Sequence, residues 1–112
     1  MIEKTILTYM KGALDVEVYM ERPEKPPAEY VLIEKTGSSK SNHISTATMA
    51  FQSYSTTLYK TAVLNDKVKE AIERMPAELN EIGHVELNAD YNYTDTASKQ
   101  YRYQAVYVIT HY

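Results

Sequence analysis

The stretch that decides the fold is HVELNADYNY (84–93), followed by TDTASKQ (94–100) and YRYQAVYVI (101–109). In the first and third segments, apolar or aromatic side chains alternate with polar ones over most of the length. A period of two is typical of a β-strand with one buried face. The polar residues between the two segments predict a turn, so we expect them to pair as an antiparallel hairpin.

The hairpin has one register that brings the apolar side chains of both strands to the same face. A slip of one residue turns the apolar set of one strand to water, so we expect this register to be strongly specified. The opposite face is then polar, interrupted by Val106 and Val108. The predicted pairs are Tyr93–Tyr101, Tyr91–Tyr103, Ala89–Ala105, Leu87–Tyr107 and Val85–Ile109, and the predicted polar face carries His84, Glu86, Asn88, Asp90, Asn92, Arg102, Gln104, Thr46 and Thr48.

The rest of the chain predicts two helices and three further strands. Apolar residues gather on one side of a helical wheel in the N-terminal segment and again after Leu58. Three prolines in the segment 21–29 predict an extended connection, because proline removes a donor and disfavours helix before it. The expected elements are a helix from Ile2 that ends between Gly12 and Asp15, strands at 16–19 and Tyr30–Thr36, a polar turn GSSKSN (37–42), an alternating strand from His43, and a helix that Ser53 or Ser55 caps and Pro76 ends.

This order of elements predicts an α+β fold in one domain, residues 1–112. The order is α-β-β-β-α-β-β, with no internal repeat. Because each helix has one apolar side, we expect a mixed or antiparallel sheet with both helices packed on one face.

Composition excludes several classes of protein. The chain has 112 residues, no Cys, 11 Tyr and a net charge of −3, with 44% hydrophobic and 24% charged residues. Those fractions are typical of a globular domain, and the charge supplies no basic surface for nucleic acid. The N-terminal segment is too interrupted by charges for a signal peptide or a membrane span, so we expect a soluble protein.

No pattern of catalytic or metal-binding residues stands out. His43, His84 and His111 lack the spacing of a zinc site, and Asp90 and Asp95 lie near a turn, where such residues commonly bond backbone amides. With three glycines and no Cys, the chain also lacks a phosphate-binding loop or a thiol nucleophile. We therefore expect no enzyme, no cofactor and no metal; an enzyme would require His84, Asp90 and Arg102 to converge in a pocket.

Tyr101, Tyr103 and Tyr107 form a stripe of the kind that stacks nucleic-acid bases in some proteins. They share their predicted face with Ala105 and Ile109, which favours a place in the core. Glu86 and Asp90 are predicted on the polar face of the hairpin, where they would repel phosphates. We therefore rank nucleic-acid binding below contact with proteins.

Two pairs of apolar residues do not fit a simple core. Tyr59 and Val63 interrupt the polar side of the second helix, and Val106 and Val108 interrupt the polar side of the sheet. Two such pairs on different faces predict that opposite surfaces of one subunit meet different neighbours, as in a head-to-tail ring. The two polar turns are further candidate contacts, through Lys40 and Asn42 in the first and Asp95 and Lys99 in the second.

The segment ILTYMKGALDVEVYMERPEKPPAEYVLIEKTGSS (6–39) resembles small prophage proteins from the head-to-tail region of long-tailed bacteriophages. The similarity lies in a first helix, a strand ending in V-Y-x-E-x-P, a proline-rich connection and a strand of the YVLIEKTG type. The similarity is sharpest over residues 6–37, and the order of elements extends it over essentially the whole chain. Within that group, the chain is most similar to tail-terminator or tail-completion proteins.

The resemblance implies a subunit that assembles into a ring, typically a hexamer, at the head-proximal end of the tail tube. Such a ring stops polymerisation of the tube protein and presents a surface to the head connector. The implied partners are further copies of the chain, the tail tube protein and the head connector protein, with no specific nucleic acid and no membrane. The implied location is the virion, with assembly in the bacterial cytoplasm.

Two alternatives remain open. One is a related structural role, as a head-completion or connector protein or a minor tail protein of similar fold. The other is a regulatory domain that binds a small ligand on the polar sheet face around His84, Asn88 and Arg102.

Overall fold

Two helices and five strands follow one another along residues 1–112, all of which the computed structural model describes. They are α1 (Ile2–Ala13), β1 (Glu17–Tyr19), β2 (Tyr30–Ser41), β3 (Ile44–Ser55), α2 (Leu58–Glu78), β4 (Ile82–Asn92) and β5 (Tyr101–His111). The strands form one sheet in the order β1-β2-β3-β5-β4, in which only β1 and β2 are parallel. The predicted α+β fold with a mixed sheet is confirmed.

The core lies between one face of the sheet and both helices. Seventeen buried apolar residues form a single cluster, to which both helices and all five strands contribute. Strand β3, in the centre of the sheet, supplies Ala47, Met49 and Phe51 from alternate positions. Both helices therefore cover the same face, as the amphipathic patterns predict.

Three polar contacts fix the helices in place. The Tyr9 hydroxyl of α1 donates a hydrogen bond of 2.8 Å to the Ala71 carbonyl oxygen of α2. Glu3 of α1 forms an ion pair with Lys35 of β2, with a nitrogen–oxygen distance of 3.4 Å. Thr57 caps α2, because its hydroxyl accepts a hydrogen bond of 3.1 Å from the Lys60 amide. Neither helix is both long and apolar enough to cross a bilayer.

The predicted ends of α2 are wrong at both termini. Ser53 and Ser55 belong to β3, which stays paired with β5 as far as Ser55–Tyr101, so neither serine is free to cap a helix. At the other end Pro76 lies inside α2, which continues to Glu78. Pro76 lacks its own amide donor, but the Leu79 amide still closes the last turn on the Met75 carbonyl at 2.8 Å.

The predicted turn GSSKSN (37–42) is also wrong over most of its length. Residues Gly37–Ser41 continue β2 and pair with β3, after a bulge at Thr36. The turn itself is only Asn42 and His43, with φ of 51° and 68°. Positive φ at both positions of a two-residue loop is the geometry that matches the twist of a hairpin. The run of polar side chains therefore did not identify which residues form the turn.

We expect His43→Gly to raise the free energy of unfolding, by up to about 1 kcal/mol. His43 has a φ of 68°, which strains an L-residue but not glycine. Urea denaturation followed by circular dichroism measures the change. His43→Ala is the matched control and should bring no such gain, because alanine keeps the Cβ atom that causes the strain. Equal gains in both variants would contradict this explanation.

The β4–β5 hairpin follows the predicted register over half of its length. Val85–Ile109 and Leu87–Tyr107 pair as predicted. A bulge at Asn88 then shifts β4 by one residue, so that Ala89 pairs with Val106 and Tyr91 with Gln104. One extra residue in one strand turns every later side chain to the other face. Tyr91 and Tyr93 consequently lie on the face away from the helices, and Asp90 and Asn92 lie on the helix face, which reverses the prediction.

Candidate functional site

The sheet face opposite the helices, called the open face below, carries an ordered row of polar side chains. The Tyr54 hydroxyl donates to Gln52 and the Gln52 amide donates to Gln104, each at 2.8 Å. The Gln104 amide in turn donates to the Tyr91 hydroxyl. The row runs from β3 through β5 to β4. Because these side chains are already held by one another, they lose little freedom when a partner binds.

Exposed aromatic rings border this row at the end of the edge strand β4, one within the strand and one directly after it. Tyr91 is 41% exposed and Tyr93 is 45% exposed, and their ring centroids are 5.8 Å apart in an edge-to-face arrangement. The Arg102 guanidinium lies 4.2 Å from the centre of the Tyr93 ring, and its Nε donates to the Tyr93 carbonyl oxygen at 2.6 Å. Tyrosine and arginine are enriched at the centres of protein interfaces.

Val106 and Val108 lie on the open face, as predicted, and both are half-buried. Val106 pairs with Ala50 of β3 and Ala89 of β4, so the middle of the open face is apolar. Val108 has Glu86 beside it on β4. The open face thus combines an apolar centre with a polar and aromatic end.

Tyr59 and Val63 lie on the opposite side of the molecule, on α2. Tyr59 is 79% exposed and Val63 is half-buried. Both line a cleft of about 330 Å³ that α2 forms with the segment after α1 and with the residue before β2. Besides these two residues the cleft is lined by Asp15, Val16, Glu29, Lys60, Leu64 and Lys67.

The predicted turn residues lie at opposite ends of the sheet. Lys40 and Asn42 are exposed at the β2–β3 tip, and Asp95 and Lys99 are exposed in the β4–β5 connection. The pairing of β3 with β5 places these two tips at opposite ends, because Ser45 pairs with His111 and Ser55 with Tyr101. The molecule is 45 Å long and 24 Å across in both other directions.

Asp95 has a local role in its own turn. Its carboxylate accepts a hydrogen bond of 3.1 Å from the Ala97 amide. Hydrogen bonds from the Ser98 side chain, and then from the Ala97 and Ser98 amides, hold the pKa of Asp95 below its usual value. Asp95 therefore orders the connection, which also contains Lys99 at a φ of 55°.

A polar cluster between α2 and β4, in which only Asn65 is buried, was not predicted. Because of the bulge, Asp90 faces the helix, where it accepts hydrogen bonds from Asn65 at 2.8 Å and Lys69 at 2.5 Å. The hydrogen bond to Asp90 is the main cause of the raised pKa of Lys69. Asn65 falls within the apolar stripe of α2, between Leu64 and Val68, and that position was the available signal for a buried polar residue.

The residues considered for catalysis do not converge. His84 and Arg102 lie on the open face, whereas Asp90 lies on the helix face. No group of three His, Cys, Asp or Glu side chains is arranged to hold a metal ion. No protein-family model matches the chain, and no curated protein matches it.

Proposed function

We propose that this chain is a structural subunit of a long-tailed bacteriophage that forms a ring at the head-proximal end of the tail tube. The ring terminates tube polymerisation and joins the tail to the head connector, and the subunit has no catalytic role. The sequence resemblance, which is sharpest over residues 6–37, supports the phage assignment. One structural observation supports ring formation: two partly apolar surfaces lie on opposite sides of one domain.

The proposed contact joins unlike surfaces of neighbouring copies. The α2 surface around Tyr59 and Val63 packs on the open face around Val106 and Val108 of the next copy. A contact between two different patches repeats around an axis and closes into a ring when the rotation allows it. Charges of both signs line the α2 cleft, namely Lys60, Lys67, Asp15 and Glu29, and Glu86 lies beside Val108 on the open face.

The two sheet ends face the remaining neighbours in this proposal. The β2–β3 tip with Lys40 and Asn42 and the β4–β5 connection with Asp95 and Lys99 lie at opposite ends of the long axis. One tip contacts the tail tube protein and the other contacts the head connector protein. Co-sedimentation with purified tail tubes, compared with empty capsids, separates this role from that of a head-completion protein.

We expect wild-type protein to form rings at high concentration and the double variant Tyr59→Lys/Val63→Glu to be monomeric with an unchanged circular dichroism spectrum. Sedimentation velocity across a wide concentration range and negative-stain microscopy measure assembly. The matched control is Lys11→Glu on α1, an exposed charge change outside both surfaces that should leave assembly intact. A wild-type protein that stays monomeric throughout contradicts ring formation.

A mixing experiment tests whether the two surfaces are complementary. The variant Val106→Glu/Val108→Lys should also be monomeric alone, because it lacks the sheet side of the contact. Mixed with the Tyr59→Lys/Val63→Glu variant, it should form a dimer and nothing larger, since each variant keeps one intact surface. If the mixture stays monomeric, or if either variant assembles like the wild type, the proposed pairing of surfaces is wrong.

A further inference from the structure

A row of aromatic side chains crosses one end of the open face. Tyr30 of β2 stacks on Tyr54 of β3, with ring centroids 4.5 Å apart and an interplanar angle of 5°. Tyr54 pairs with Arg102 of β5, whose guanidinium lies 4.2 Å from the centre of the Tyr93 ring. Tyr91 meets Tyr93 edge-to-face. Because each side chain contacts or pairs with the next, all five lie on the same face of the sheet, and they are called the aromatic row below.

The half of the aromatic row on β2 and β3 is covered, although neither helix lies on the open face. Tyr30 is 3% exposed and Tyr54 is 5% exposed. Both line a cleft of about 160 Å³ together with Pro26 and Pro27, which belong to the connection between β1 and β2. That connection, residues 20–29, contains three of the four prolines of the chain. A proline-rich segment of the chain itself therefore lies beside the stacked rings.

The other half of the aromatic row has no such cover. Tyr91 is 41% exposed and Tyr93 is 45% exposed. Arg102, which lies over the Tyr93 ring, forms no ion pair. Its charge acts on Asp95, but that carboxylate accepts hydrogen bonds within its own turn. This half thus presents two aromatic rings beside a positive charge that no acidic side chain neutralises.

The chemistry of this surface suits an extended proline-rich ligand. Such a segment adopts the polyproline II conformation, which has no internal hydrogen bonds, so its carbonyl oxygens are free to accept them. Domains that recognise these segments use surfaces lined by aromatic side chains, and the stiff ligand loses little freedom on binding. The Tyr91 hydroxyl accepts a hydrogen bond from Gln104, which leaves its own proton free to donate. Arg102 favours a ligand that also carries a carboxylate.

We propose that the exposed half of the aromatic row, Tyr91, Tyr93 and Arg102, binds an extended proline-rich segment that carries an acidic residue. The prolines of the ligand pack on the two rings, as prolines of the chain's own connection lie beside the covered half. The Tyr91 hydroxyl donates to a carbonyl oxygen of the ligand, and Arg102 pairs with its carboxylate. The site requires neither ring formation nor the phage role.

The probe is a fluorescein-labelled, amidated peptide with the sequence of the chain's own connection, ERPEKPPAE (21–29). Fluorescence anisotropy of the peptide, titrated with the full-length protein, measures the dissociation constant. We expect saturable binding to the wild type. A control peptide with all three prolines replaced by alanine carries the same charge and should bind at least about tenfold more weakly. Equal binding of the two peptides would overturn the proposal.

Two protein variants locate the binding site. Tyr93→Ala should weaken binding by about tenfold or more, because it removes one of the two rings. Tyr59→Ala is the matched control, since it removes an exposed tyrosine from α2, and it should bind like the wild type. Both variants should keep the circular dichroism spectrum of the wild type. If the peptide instead displaced the chain's own connection from the covered rings, Tyr93→Ala would bind like the wild type and the proposal would be wrong.

A second pair of measurements tests the role of Arg102. Arg102→Gln should weaken binding of ERPEKPPAE but leave unchanged the binding of a peptide whose three glutamates are glutamine, because that peptide has no carboxylate to pair. Equal losses for both peptides would contradict the pairing of Arg102 with a carboxylate. Exposed tyrosines also stack on nucleic-acid bases, so tighter binding of a labelled oligothymidine than of the peptide would overturn the assigned ligand class.

Discussion

Replacement of Phe51 by Ala is expected to lower the free energy of unfolding by about 3–5 kcal/mol. Phe51 is 0% exposed and lies at the centre of β3, where its ring meets Tyr107 edge-to-face at 6.2 Å. Across the sheet it pairs with Ile33 on one side and Ala105 on the other. Truncation therefore removes buried apolar surface and leaves a cavity that a central strand cannot close.

Urea denaturation followed by circular dichroism measures this loss. Because native domains are stable by only about 5–15 kcal/mol, the variant should unfold at a much lower urea concentration. Phe51→Leu keeps most of the volume and should cost clearly less than Phe51→Ala. Tyr59→Ala is the surface control, since its ring is 79% exposed, and it should change stability by less than about 0.5 kcal/mol. A loss at Phe51 no larger than at Tyr59 would contradict this account of the core.

Alkaline pH is expected to destabilise the protein, with Tyr107 as the largest single contributor. Burial, followed by the hydrogen bond to Glu73, raises the pKa of Tyr107 far above its usual value. The hydroxyl of Tyr107 donates to the Glu73 carboxylate at 2.8 Å. A folded-state pKa above the unfolded one means that the stability is fully present below about pH 10 and falls as the pH rises further.

The expected slope is a loss of up to about 1.4 kcal/mol per pH unit above pH 10 from Tyr107 alone. The pKa values of Tyr9, Tyr30 and Lys69 are also raised, so they add losses of the same sign. Urea denaturation from pH 8 to 11.5 measures the total. Tyr107→Phe should make the profile flatter, because phenylalanine has no proton to lose.

Glu73→Gln isolates the contribution of the Glu73 negative charge to the raised pKa of Tyr107. Glutamine still accepts the Tyr107 hydrogen bond but carries no negative charge, so it removes only the electrostatic part. Because burial is the first cause, the variant should retain most of the alkaline loss. A Tyr107→Phe profile as steep as that of the wild type would show that Tyr107 is not the group that titrates on unfolding.

The local sequence pattern predicted most of the helices and strands, because their apolar residues recur with the spacing that is typical of a helix or of a strand. The helical stripe from Leu64 to Met75 and the alternation along β3 both follow from which side chains meet the core. The local pattern failed where the same type of residue is common in two kinds of secondary structure. Serine is common at helix N-caps, but it also fits a buried strand. Pairing with β5 extends β3 through Ser53 and Ser55.

The candidate surfaces were predicted less completely than the fold. Tyr59 and Val63 were identified because they interrupt a polar helix side, and Val106 and Val108 because they interrupt a polar strand side. Tyr91 and Tyr93 were assigned to the core face because strict alternation along 84–93 places them with Val85 and Leu87. The bulge at Asn88 breaks that alternation, and tyrosine suits an exposed face as well as a core, so the pattern alone could not place them.

The sequence by itself determined the fold class, the order of elements and the amphipathic faces, since these follow from side-chain periodicity along short segments. Only the tertiary structure decided which way the end of β4 faces. The bulge at Asn88 turns Asp90 toward α2, where Asn65 and Lys69, 25 and 21 residues away in sequence, donate hydrogen bonds to its carboxylate. The same bulge turns Tyr91 and Tyr93 outward. The shifted register and the two hydrogen bonds between distant segments accompany each other, and the register decides the chemistry of the open face.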